Sequence, residues 1–201
     1  LAVLTQGSRD APDRQRTLRA AIAWSYDLLN PPERTLFSSL AVFAGSFSLG
    51  AVTAIASESV EAQNERSDEL ASGILDSVSA LIDQALVQRQ NVAEDAPRFS
   101  MLLTIRDFAA DQLAASGAAV EIQRRHALWF LDLAEQAESE LVGPDAGVWL
   151  ARLEQDHGNL RAALKPNGMI VVVEHAANDT PRSEVTNIAN RLHRIDPKIV
   201  R

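Results

Sequence analysis

A mainly α fold is predicted: a winged-helix bundle with a small β-hairpin, then an α-hairpin of helical-repeat type, then a short strand-plus-helix tail. Three observations carry it. Apolar residues recur at three- and four-residue spacing through most of the chain, and capping and turn residues punctuate those segments. Before the tail, only "ALVQRQ" and "RFSML" read as β-like runs, separated by the turn-rich "NVAEDAP".

Residues 14 to 29 place Leu18, Ala21, Ile22, Trp24, Leu28 and Leu29 at mostly helical spacing. In "NPPE", Asn30 can cap a second helix, with Pro31 in its first turn and Glu33 at its third position. That helix should bury Leu36, Phe37, Leu40 and Phe43 and stop at Gly45. "SFSLGAVTAIA" reads as a short extended lead into a third helix, and polar residues 58 to 69 as a loop. A helix from Leu70 to Gln84 should turn Leu75, Val78, Leu81 and Ile82 inward, ahead of the hairpin. Helices are expected over 104–115, 119–142 and 146–163, the last two broken at "VGPDAG". Two antiparallel helices across a short turn are the unit of a helical-repeat array, which needs neighbours to bury its faces.

No apolar run exceeds five residues, far short of the roughly 20 that span a membrane. No secretory leader is recognisable, and cysteine is absent, which excludes disulfides and thiolate metal sites; a cytoplasmic protein is expected. The chain opens at Leu1 rather than Met and reads as a piece of something longer. Residues 1–164 hold 13 Arg, no Lys and 23 acids, whereas the remaining 37 residues hold 6 cations and 4 acids. So acidic a body opposes broad contact with a phosphate backbone. The step in lysine usage points to a different origin for the tail.

"TLRAAIAWSYDLLNPPERTLFSSLAVFAGSFSLGAV" resembles the winged-helix segment that follows the nucleotide-binding domain in bacterial signal-transduction ATPases, the NB-ARC-like (STAND) regulators of LuxR and SARP type. "LLTIRDFAADQLAASG" is similar to that family's closing helix. "RRHALWFLDLAEQAESELVGPDAGVWLARLEQDHGNLRAAL" is similar to its first tetratricopeptide-like (TPR-like) helices, and "LTQGSR" (4–9) to the last turn of the preceding lid domain. The resemblance covers about residues 1–164 and implies a switch module. The winged helix closes over ATP or ADP, the helical repeats sense a ligand or partner, and protein contact carries the signal. The nucleotide cradle itself is missing: "GSFSLG" lacks the Lys-Ser or Lys-Thr of GxxxxGK[ST]. Leu103 stands where these regulators usually carry an acid in Leu-Glu-Thr-Ile-Arg.

The tail resembles another family. "LKPNGMIVVVEHA" is similar to the turn and strand of class I S-adenosylmethionine-dependent methyltransferases, and "LHRIDPKIV" to a later segment of one subfamily. It omits the Gly-rich loop and the acidic ribose partner that would grip S-adenosylmethionine. The chain therefore reads as a chimera joined near Leu164, with 1–116 winged helix, 117–164 helical hairpin and 165–201 a poorly packed methyltransferase-like fragment.

No catalytic, cofactor-binding or metal-ligating residue is expected. His126, His157, His175 and His193 lack metal-ligand spacing, although His175 and His193 fall in the methyltransferase-like segments. Trp24, Trp129 and Trp149 are expected as packing anchors. Arg124 and Arg125, and the group Arg9, Arg14, Arg16 and Arg19, are the strongest positive clusters. The expected function is non-catalytic and regulatory, through contact with the missing nucleotide-binding domain and further repeats. The alternatives are a methyltransferase remnant and DNA binding by the winged helix.

Overall fold

Local capping signals start two of the helices, the second and the third. The computed structural model describes residues 11–57, 67–90 and 97–163. The expected lid turn at 4–9, residues 58–66 of the loop expected over 58–69, the hairpin tip 91–96 and the tail 165–201 lie outside the described residues. Helix α1 (Ala11–Asp27) leads to α2 (Pro31–Ser39), where the Asn30 side chain accepts from the Glu33 amide and the Glu33 carboxylate from the Asn30 amide, each at 2.9 Å. Such a reciprocal cap is worth about 1 kcal/mol. A 3-10 turn (Leu40–Val42) ends the helix ahead of Gly45. All four expected core residues of this stretch, Leu36, Phe37, Leu40 and Phe43, are buried.

Strand β1 (Phe47–Ser48) runs into α3 (Leu49–Ala56), capped by the Ser48 hydroxyl on the Ala51 amide. Helix α4 (Ser67–Asp83) starts three residues before its expected position. The hairpin of β2 (Gln88–Gln90) and β3 (Arg98–Ser100) forms as expected, but the sheet has three strands in the order β1-β3-β2, all antiparallel. Phe47 lies opposite Phe99, ring centroids 6.3 Å apart and both buried, and this cross-strand pair recruits β1. Helix, strand, helix, helix and hairpin, with β1 beside β3, make a winged-helix arrangement.

Helix α5 (Leu103–Ser116) ends at Gly117, whose φ of 77° is a left-handed cap that costs glycine nothing. Helix α6 (Ala119–Glu140) turns back toward the bundle. Where one helix is expected over 146–163 there are two, α7 (Ala146–Gln155) and α8 (His157–Ala163), broken at Asp156. The expected boundary at 116/117 is not a gap in packing. Phe130, Leu133, Ala134, Ala137, Leu153 and Leu160 belong to the same core as Phe37, Phe43, Val52 and Leu81. Two aromatic groups organise that core. Tyr26, Phe37 and Phe108 join α1, α2 and α5, and Phe43, Phe47 and Phe130 join the 3-10 turn, β1 and α6.

Close backbone approaches fix how α6 and α8 sit. A Cβ on Gly50 would touch the Trp129 indole at 3.4 Å, and one on Gly158 would meet the Ala44 carbonyl oxygen at 3.3 Å. Gly158→Val should therefore destabilise the fold by about 2 kcal/mol, read as a lower melting temperature. A melting temperature at or above that of the unaltered protein would mean that α8 can back away from Ala44 without loss.

Candidate functional site

Burial and hydrogen bonding converge where the wing meets the helical hairpin. Arg98 on β3 and Asp156 between α7 and α8 are each only 5% exposed. The guanidinium grips both carboxylate oxygens, at 2.5 and 3.2 Å, and also donates to the Ser46 hydroxyl and carbonyl oxygen, each at 2.9 Å. Asn159, fully buried, donates to the Ser46 carbonyl at 2.7 Å and to Asp156 at 3.1 Å, and accepts from the Ala44 amide at 2.8 Å. Two charges out of water are tolerated only when bonded this completely. Periodicity missed this node because its partners lie 58 and 113 residues apart in sequence.

A winged helix that reads DNA offers a helix and cations to the duplex. Here the described outward residues of α4 are Ser72, Gly73, Leu75, Asp76, Ser79 and Asp83, two acids and no cation. Leu75, expected inward, is 47% exposed, while Val78 and Leu81 are buried as expected. Of the two arginine clusters, Arg19, Arg124 and Arg125 are each paired with a carboxylate, and the side chains of Arg14 and Arg16 lie outside the described residues. Arg124 and Arg125 both bind Glu121, whose carboxyl falls from its ordinary 4.5 to about 2, chiefly through the Arg124 hydrogen bond and against the opposing effect of burial. Arg125 also donates to the Ile55 carbonyl at the end of α3. Arg19 pairs with Asp111 and lies over the Phe108 ring, tying α1 to α5. Arg9 lies outside the described residues.

A cleft of about 380 Å³ lies beside the first turn of α5. Ser46, Gln88, Gln90 and Ser100 give it polar atoms, and Phe43, Met101 and Leu103 give it apolar walls. Arg106 is its one charged lining residue. The guanidinium donates to the Phe43 carbonyl at 3.3 Å and meets no carboxylate among the described residues. Leu103, which stands in place of the family's usual acid, is 62% exposed on the rim.

Other singled-out residues fall elsewhere. Trp24 is not a packing anchor: it is 67% exposed, because among the described side chains of α1 it is Ile22 that turns fully into the core. Trp129 and Trp149 pack against the core as expected, half-buried. His126 is buried beside Phe43 and Phe130, and desolvation lowers its pKa from 6.5 to about 4. His157 opens α8, and His175 and His193 lie outside the described residues. Among the described residues no group of three or more His, Cys, Asp or Glu could hold a metal ion, and no helix is long and apolar enough to cross a membrane. The "GSFSLG" glycines belong to the β1 loop and to α3, where the Ser48 hydroxyl already fills the cap.

No family model matches the chain, and neither does any solved structure. Among curated proteins it is similar to one of Mycobacterium tuberculosis (strain H37Rv), provisionally named an HTH-type transcriptional regulator. Identity is 37% over 174 residues, 84% of this chain. A Mycobacterium bovis protein with the same kind of name matches to the same extent. An uncharacterized Mycobacterium tuberculosis protein is 31% identical over 112 residues, 56% of this chain and 26% of its own length. The chain spans 18% of the length of the first two relatives.

Proposed function

We propose that this chain is a non-catalytic part of a nucleotide-switched transcriptional or signalling regulator and acts by protein contact. The observation that carries the reading is the electrostatics of the winged helix. Its α4 face presents Asp76 and Asp83 and no cation among the described residues, and Arg98, Arg124 and Arg125 are bound internally. The printed name of the relatives supports a regulator, and the resemblance to NB-ARC-like ATPases supplies the nucleotide switch. In this reading the winged helix and the helical hairpin move as one packed body, and a nucleotide-dependent partner biases where that body docks.

The test has two arms. Fluorescence anisotropy with labelled duplex DNA at low salt should show no binding even at about 10⁻⁴ M protein. A salt-dependent rise would favour direct DNA binding instead. The chain should also bind the Mycobacterium tuberculosis relative from which the matched segment has been deleted, with different affinity in ATP and ADP. Equal affinity in both nucleotides, or none in either, would sink the switch.

A further inference from the structure

We infer that the cleft between the β2–β3 face and the first turn of α5 binds a carboxylate carried on a short apolar segment. Arg106 is the single charge in the lining, and its only hydrogen bond among the described residues is one to the Phe43 carbonyl. The other guanidinium N–H groups have no partner among the described residues. A planar guanidinium presents five donors in a fork that matches a carboxylate bidentately. Around it stand neutral donors, the Gln88 amide and the Gln90 amide, the latter already bonded to the Ser100 hydroxyl at 3.1 Å. Phe43, Met101 and Leu103 line the remainder, where a few methylenes would be removed from water.

Charge decides between anions. A phosphate monoester brings about −1.5 to −2 at neutral pH. One guanidinium cannot neutralise that in a protein whose net charge is −8, whereas a monocarboxylate is matched one to one. The volume of about 380 Å³ exceeds a bare carboxylate and suits a small ligand or a side chain with its flanking atoms. The carboxylate has two possible sources, a free organic acid or an acidic residue in a partner's apolar peptide. The inference does not rest on the regulatory reading, since the site is a property of this chain alone.

Titration of the whole chain with hexanoate, followed by amide NMR, should move the Gln88, Gln90 and Ser100 signals saturably. Arg106→Gln should weaken that binding by at least about tenfold. Arg106→Lys, which keeps the charge but loses the fork, should weaken it severalfold and covers the case that the glutamine variant does not fold. The site is not a carboxylate site if hexanoate gives no saturable shift, if hexanol binds as well, if hexyl phosphate binds more tightly, or if the lysine variant matches arginine. The peptide acetyl-leucyl-glutamyl-leucinamide separates the sources. Tighter binding than hexanoate assigns the site to a partner's acidic segment, and weaker binding to a free acid, either result upholding the carboxylate.

Discussion

Asp156→Ala should lower folding stability by about 3–5 kcal/mol, read as a fall in the urea midpoint at unchanged slope. The variant leaves the Arg98 guanidinium buried with only neutral acceptors, Ser46 Oγ and the Ser46 carbonyl. It also removes one of the two acceptors of the Asn159 amide. Against a total stability of about 5–15 kcal/mol, such a loss would leave the fold marginal. The double variant Arg98→Met with Asp156→Leu should recover most of it, because neither partner is then an uncompensated charge. If the single variant loses under about 1 kcal/mol, the pair is wetter than its burial implies. If the double variant fares no better than the single, the node contributes through shape rather than charge.

Acid should destabilise the protein through His126 as pH falls from about 6.5 toward about 4. In the unfolded chain the imidazole takes a proton near 6.5, and in the folded protein only near 4, because burial beside Phe43 and Phe130 penalises the cation. Between those values the unfolded state binds more protons, so stability falls as pH drops from about 6.5 to about 4. The full loss is about 3 kcal/mol at 1.36 kcal/mol per pKa unit. Glu121 acts in a lower window. Its depressed pKa means that its contribution is lost only as pH falls from 4.5 toward about 2. Urea unfolding at several pH values should show the upper slope in the native sequence and its disappearance in His126→Leu. An unchanged slope in that variant would place the acid sensitivity on other groups.

What the sequence made legible was what short-range chemistry decides. Asn30, Pro31 and Glu33 announce the start of α2 because both capping bonds lie within one turn. Tertiary choices were hidden. Helical spacing groups Leu18, Ala21, Ile22, Trp24, Leu28 and Leu29 but does not say which of them meet a neighbour: Leu18, Trp24 and Leu28 face outward while Ile22 and Leu29 go in. Asp156 reads as one more acid on a solvated helix face, since nothing within a turn of it hints at Arg98. The third strand was missed for the same reason, Phe47 and Phe99 being 52 residues apart. The cleft could have been suspected only from Arg106, an arginine in "LLTIRDF" with no acid one turn before it.

The long reach of the buried node sets an order of events during synthesis. Arg98 leaves the ribosome 58 residues before the carboxylate that neutralises it, and the Ser46 carbonyl 113 residues before the Asn159 amide. At about 5–20 residues per second, the nascent wing carries an unmatched cation for roughly 3–12 s. The winged helix therefore completes its packing only after α8 has emerged, and a transcript ending ahead of Asp156 yields a chain with its hairpin strand still seeking a counter-ion.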